Sequence, residues 1–277
     1  MPNTDIASIP HLGSGIGFRE EIADHILKAS PHIDFIEVIT EGYVNYPARL
    51  EQISDVARLF PVIPHGVGMS IGSLGEFDES YMHGIKRVSD TLASPYYSDH
   101  LCMTQVPGID LGHLAPLWFC RELLNHIRDR VNHVQDYLGK PLILENITYA
   151  VNMPNMEITQ LEFINKLADS TGCGILLDVT NVYTNSVNHG FDARSFIDSL
   201  PLNNVVQVHL AGGYWHNGRL VDGHSHPVPD EVWDLYSYLT SITRVKATLL
   251  EHDANFPDDF EVLLNQVRRA RSINSQG

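Results

Sequence analysis

The chain has 277 residues, 43% of them hydrophobic and 19% charged, and carries a formal net charge of −16 from 18 basic and 34 acidic side chains. That balance fits a globular protein with a sizeable core, at a length close to the roughly 250 residues of a (β/α)8 barrel. The acidic excess argues against nucleic acid, whose phosphates call for clustered Lys and Arg, and no apolar run nears the roughly 20 residues that cross a bilayer.

The opening MPNTDIASIPHLGSG lacks the basic-then-apolar pattern of a secretory signal, so a cytoplasmic location is expected, with residues 1–12 as an N-terminal arm. Short β-rich runs then alternate with amphipathic stretches, the signature of a parallel sheet with crossover helices. The strands are SGIGF (14–18), DFIEVIT (34–40), PVIPHGV (61–67), PYYSDHLC (95–102), PLILEN (141–146), GILLDVTN (174–181), NVVQVHLAG (204–212) and ATLLEHD (247–253). Helices are expected in REEIADHILKAS, YPARLEQISDVARLF, FCRELLNHIRDRVNHVQDYLG and ITQLEFINKLADSTG, the last capped by Thr159 and ended by Gly172. Pro229, Asp230 and Glu231 suit the first turn of a further helix. Eight strands close into one (β/α)8 TIM barrel, an α/β fold, read as a single domain over 1–277 with 272–277 as a frayed tail. Glycines 66, 68, 72, 75, 212 and 213 follow strand ends, where they would let the backbone turn sharply. HGVGMSIGS is not followed by the Lys-Ser/Thr pair of a phosphate loop. Cys102, Cys120 and Cys173 are too few and too scattered for a disulfide framework.

Metal-ligating residue types recur where these strands end: His65, His100, Glu145, Asp178, His209, the Asp222/His224 pair and Glu251. Burying such groups singly is costly, and gathering them around cations at the C-terminal face of a barrel removes the cost. The set exceeds the needs of one ion, so two or three are implied, and mixed oxygen and nitrogen donors suit iron, manganese or zinc. Asn181, three residues after Asp178, would reach the mouth through a loop, either as a weak oxygen ligand or as a turn residue. His226 competes with His224, although its place before Pro227 restricts its backbone. Glu37 and Glu41 read as residues behind the ligands or as solvated groups. Asp99 could orient an imidazole, although its side chain starts on the opposite face of the strand. His189 and Asp192 lie on the sixth loop, with a substrate or loop-ordering role. Tyr214, Trp215 and His216 either line a pocket or pack on neighbouring loops. His11, His25, His126 and His133 read as surface residues.

HGVGMSIGS, SDHLC, ILLDVTNVYTNSVNHGFD, HLAG and DGHSHPVPDEVWDLY resemble the MbnB/TglH-like multinuclear non-haem iron enzymes, from GIGFR at 15–19 to LLEHD at 249–253. The resemblance implies a barrel akin to those of endonuclease IV and xylose isomerase, with His65, His100, Glu145, Asp178, Asn181, His209, Asp222, His224 and Glu251 as metal ligands. Endonuclease IV has histidine at the place of Asn181, which favours iron over its trinuclear zinc. The resemblance further implies oxidation of a cysteine in a ribosomally made peptide, with two or three irons, dioxygen as co-substrate and a separate protein presenting the peptide. Departures fall on the substrate side: Met103 follows SDHLC where relatives often carry tryptophan, and ENITYA replaces an ENISSY-like run. Two other readings stand beside this one. They are a zinc- or manganese-dependent hydrolase or isomerase of the same barrel superfamily, and a catalytically silent metal- or partner-binding barrel.

Overall fold

The computed structural model describes residues 4–275. The expected strands form within a few residues of their sequence spans: β1 (Gly13–Gly17), β2 (Ile36–Ile39), β3 (Val62–Gly66), β4 (Tyr97–His100), β5 (Leu142–Glu145), β6 (Gly174–Asp178), β7 (Val205–Leu210) and β8 (Ala247–Leu250). All pair in parallel in the order β1-β8-β7-β6-β5-β4-β3-β2 and close on themselves, so the TIM barrel inferred from the alternation is the fold.

Side chains alternate between the two faces of a strand, and this period places the polar groups. Phe35, Ile63, Tyr96, Ile143, Leu176, Val206, Ala247 and Leu249 form an apolar cluster low in the barrel, distinct from the larger core between strands and helices. Two positions further along the same faces come Glu37, His65, Glu145, Asp178 and Glu251. Ser98 and then His100 follow Tyr96 in the same way. On β7 the extra residue Val206 shifts the register between Ile175↔Val205 and Leu176↔Gln207, so that Gln207 and His209 share this face. The sequence thus stacks an apolar floor beneath a polar layer.

The arm closes the lower end. Ile9 is buried in the floor cluster with Ile6 and Leu12 packed on it, and the ammonium of Lys246 donates to the carbonyls of Ile6, Ala7 and Ile9 at 2.6, 2.9 and 2.7 Å. Thr159 caps the helix Gln160–Thr171, its hydroxyl accepting from the Glu162 amide at 3.1 Å, and Gly172 ends it at φ 66°.

Two expectations need correction. The tail does not begin to fray at 272, because the helix Glu261–Asn274 continues through it; residues 276 and 277 lie outside those described, as do residues 1–3 of the arm. Asn181 is not in a loop: β6 ends at Asp178, which caps the helix Val179–His189 by accepting from the Asn181 amide at 2.7 Å. Gly68, Gly72 and Gly75 do lie in the bends and turn that follow β3, with the Ser73 amide donating to the Ser70 carbonyl at 2.9 Å around Gly72, but the left-handed conformation at the mouth falls on Ser70 (φ 50°) and His224 (φ 42°). Gly66, Gly72 and Gly212 serve close approach, since a Cβ would overlap the Tyr97 hydroxyl, the Leu117 side chain and the His226 carbonyl, respectively. Finally, two antiparallel hairpins at the mouth were not foreseen, Met103–Val106 with Ile109–Ala115 and Tyr214–His216 with Arg219–Val221.

Candidate metal centre

The polar layer gathers its donors into three overlapping sets: His65, His100 and Glu145; Glu145, Asp178 and His209; Asp178, His224 and Glu251. Within each set the ligand atoms lie within 4.8 Å of one another. Strand register brings them together, because His100 pairs with Glu145 across β4 and β5, and Asp178 with His209 across β6 and β7. Glu145 and Asp178 each belong to two sets, the position of a carboxylate that bridges neighbouring ions. Asp222 joins through His224, whose Nε2 lies 2.5 Å from its Oδ1.

The residues fit resident cations. Glu145 Oε2, Asp178 Oδ2, Asn181 Oδ1, His209 Nδ1, Asp222 Oδ1 and His224 Nε2 are all buried without a well-formed hydrogen bond. Orphaned polar atoms are costly and rare in a folded interior, and six converging on one place could serve as donors to cations. Asn181 gives a specific sign: its Nδ2 donates to the Asn146 carbonyl at 3.1 Å, which leaves Oδ1 as the free atom. Asn146 holds this corner from both sides, accepting from the Asp178 amide and donating to the Asp178 carbonyl, each at 3.0 Å.

Hydrogen bonds on the outer ring nitrogens select the inward ones. His65 Nδ1 meets Ser98 Oγ at 2.9 Å and His100 Nδ1 meets the Gly66 carbonyl at 3.1 Å, so both rings turn Nε2 towards Glu145 at 3.3 and 3.4 Å. His224 places Nδ1 against Glu251 at 3.2 Å and Nε2 against Asp222. His209 is reversed: Nε2 faces Glu37 at 3.1 Å, and Nδ1 faces Glu251 at 3.1 Å and Glu145 at 3.8 Å.

Electrostatics divides the rings. Burial, reinforced by the neighbouring His100 and His209, holds His65 well below the usual imidazole range, and burial brings His100 down to about 4. Both are therefore neutral ligands at ordinary pH. Burial acts the same way on His209 and His224 but is outweighed by carboxylates, chiefly Glu37 and Glu145 for the first and Glu251 and Asp222 for the second, so both are raised well above the usual range. Burial, with Asp222 adding to it, pushes Asp178 up to about 7, and burial, with Asp178 and Glu251 adding to it, raises Glu145 well above the carboxylate range. Burial would also raise Glu251, but His224 and His209 pull it well below the carboxylate range. In the metal-free protein, protons occupy places that cations would take.

The cluster lies at the bottom of a cavity of about 680 Å³ whose lining includes Ile39, Val67, Thr104, Gln105, Ile147 and Thr148. Glu41 shapes the rim, its Oε1 accepting from the amides of Val67 and Gly68 at 2.9 and 2.8 Å and from the Tyr81 hydroxyl at 2.6 Å. It is neither a ligand nor simply solvated. Arg19, which sequence reasoning passed over, holds Asp253 at 2.5 Å and lies 3.6 Å from Glu251.

Other candidates sit further out. Asp99 is buried on the far face of β4 and accepts from the amides of His100 (2.8 Å) and Met69 (3.3 Å), so it holds backbone and not an imidazole. Asp192 is an exposed helix cap, accepting from the Ser195 amide at 2.7 Å, and has no place in the cavity wall. His189 lies not in a loop but at the end of the helix Val179–His189, where it stacks on Tyr149 at 4.3 Å between ring centres and its Nε2 meets the Tyr149 carbonyl at 2.8 Å. His224 enters the cluster, whereas His226 faces out and packs on Tyr214. Tyr214, Trp215 and His216 form an exposed hairpin strand outside the cavity lining. His126 is half-buried, its Nε2 meeting the Ser73 carbonyl at 2.8 Å, and so is more than a surface residue. Glu37, Ser98 and Asn146 are contributors whose only signal in the sequence was their strand parity or their neighbour.

Comparison with solved structures places the fold among sugar-epimerase barrels. A D-psicose 3-epimerase solved in the presence of D-fructose superposes with a TM-score of 0.62 at 13% identity, over 95% of this chain and 98% of the other. A D-tagatose 3-epimerase-like protein gives 0.61 at 14%, over 95% and 99%. Identities this low speak to architecture alone. Among sequences, a UPF0276 protein of Acaryochloris marina is 32% identical over 258 residues, spanning 93% of each chain. One from Caulobacter vibrioides is 35% identical over 266 residues, spanning 95% of each. Residues 13–275 match the family described as RiPP precursor modification enzyme MbnB/TglH/ChrH. With that match running from the first barrel strand to the end of the last helix, the chain belongs to the MbnB/TglH/ChrH family.

Proposed function

We propose that the protein is a multinuclear non-haem iron-dependent oxygenase or oxidase that modifies a cysteine of a ribosomally made peptide, presented by a separate partner protein. The observation that carries this reading is the free carbonyl oxygen of Asn181 within an otherwise anionic and imidazole donor set, in a chain whose family match spans 13–275. A neutral oxygen donor suits iron better than a closed structural zinc site. His65, His100, Glu145, Asp178, Asn181, His209, Asp222, His224 and Glu251 would hold two or three ions. When bound, iron supplies Lewis-acid positions for a thiolate and the redox capacity to use dioxygen as the oxidant.

The remaining work falls to this chain's own side chains. The cavity has room for a short peptide segment. Gln105, Thr104 and Thr148 offer hydrogen bonds to an extended backbone, while Ile39, Val67 and Ile147 exclude water around a small side chain. Arg19 engages Asp253 and Glu251, so no free cation competes for the thiolate from that side.

The test is metal analysis and Mössbauer spectroscopy of protein purified without oxygen, followed by oxygen-uptake assays with cysteine-containing peptides encoded beside the gene. Two or three antiferromagnetically coupled irons per chain, with uptake that needs the peptide cysteine, are expected. Stoichiometric zinc or manganese, with no iron retained after anaerobic loading, would instead support an isomerase or hydrolase. Metal without turnover of any kind would point to a silent binding protein.

A further inference from the structure

Three of the four clustered imidazoles turn Nε2 inward, and His209 alone turns Nδ1. Its surroundings supply the reason. Glu37 stands on the interior face of β2, almost wholly buried, with Oε1 3.1 Å from His209 Nε2. Its Oε2 accepts from Gln207 Nε2 at 2.6 Å, and the Tyr96 hydroxyl donates to Gln207 Oε1 at 2.6 Å. The Tyr96 bond fixes which way the Gln207 amide points, and the amide in turn fixes Glu37. These three residues form a buried row beneath the donor cluster, and Glu37 belongs to none of the three donor sets.

We propose that Glu37 is a positioning residue of the metal centre: it accepts the Nε2–H of His209 and thereby commits this ring, alone among the four, to present Nδ1 to an ion shared with Glu145 and Asp178. This rests on the reading of the cluster as a metal centre. An imidazole can bind a cation through one nitrogen while keeping its proton on the other, and a carboxylate on the protonated side orients the ring and strengthens the donor. Here the ion takes the place of the Nδ1 proton and Glu37 keeps the Nε2 proton. Gln207 Nε2 also lies 3.0 Å from His209 Nε2. Were it to donate to a bare Nε2, Glu37 Oε1 would face a lone pair at 3.1 Å, two acceptors in contact.

The tautomer can be read directly. The protein is loaded with zinc as a diamagnetic probe, and long-range proton–nitrogen correlation spectra of its histidines are recorded, with His209 assigned by comparison with His209→Gln. The expected spectrum has His65, His100 and His224 bound through Nε2 and His209 bound through Nδ1 with its Nε2 proton retained. Glu37→Leu should weaken zinc binding at this position by about 10–100-fold and change the His209 pattern, while Glu37→Gln, which keeps an acceptor oxygen, should recover part of both. His209 bound through Nε2 in the native protein would overturn the assignment, as would an unchanged pattern and affinity in Glu37→Leu. A Glu37→Leu chain that does not fold leaves the native spectrum to decide. Failure of the native protein to take up zinc or iron would instead sink the metal-centre reading itself.

Discussion

His224 shows how a single residue carries the cost of the site. Its backbone sits at φ 42°, a region that non-glycine residues adopt at a cost of about 1–3 kcal/mol, and that conformation aims its ring between Asp222 and Glu251. His226, two positions on, has the same chemistry and faces out. His224→Gln should therefore remove at least one ion per chain, whereas His226→Gln should leave metal content unchanged; elemental analysis of the two variants checks this. Asp178 makes a second prediction. An Asp in an unfolded chain titrates near 3.9, whereas this one is pushed up to about 7. Protonation therefore stabilises the metal-free fold fully below about pH 4, and that contribution is lost as the pH rises through 7. Metal binding needs the carboxylate, and it also needs one proton off each of His209 and His224, so cations compete with protons throughout. The rise in Tm on adding zinc should be larger at pH 8 than at pH 6, and equal rises would refute the competition. Which residues the barrel gathers at its mouth was readable from the sequence because ligand types recur at strand ends. Asn181's role stayed open there because only its contact with Asn146 shows which amide atom is free.

At the scale of elements, the loop after β3 is fixed by groups that do no chemistry. Arg130, buried on the helix Arg121–Leu138, donates to the carbonyls of Ile71 (2.9 Å), Gly75 (2.6 Å) and Ser70 (3.2 Å), with its guanidinium 3.6 Å from the Phe77 ring centre. Among the described residues no carboxylate lies within ion-pair distance of it, Glu76 acting only from further off, so its worth lies in satisfying backbone oxygens that helix and sheet leave unbonded. Arg130→Met should cost about 3 kcal/mol of stability, measured by denaturant unfolding of the loaded protein, and Arg130→Lys should cost less. Gly66→Ala would press a methyl against Tyr97 and Asp99. It should cost about 1–3 kcal/mol and lower the metal content by displacing His65 beside it. The strands were legible because period-2 burial is written into the chain. The turn at Gly72 was legible, but the close approach at Gly66 and Gly212 was not, because composition does not distinguish the two. The hairpins escaped notice because their exposed strands carry little apolar alternation.

For the molecule as a whole, the barrel concentrates acidic groups at one end of a chain already at −16, a repulsion that bound cations would relieve. Stripping them with a chelator should lower Tm by about 5–10 °C, as expected for a ligand bound well above its Kd, and the deficit should shrink at high salt, where repulsion is screened. An unchanged Tm would mean that the native protein carries no ions there. No described helix is long and apolar enough to cross a membrane. The overall architecture was the most legible level of all, since eight strand runs alternating with helical ones admit few topologies.

The arm lashed by Lys246 seals the barrel below its apolar floor, and this turns the interior into a cul-de-sac. Anything that reaches the polar layer through the cavity comes in past the hairpin of Met103–Val106 and Ile109–Ala115, which lines it, and goes out the same way. A long substrate seated in the mouth then stands in the path of any small co-reactant, so the order of arrival becomes part of the kinetics. Whichever reaction occurs there, product release and reagent entry share one doorway.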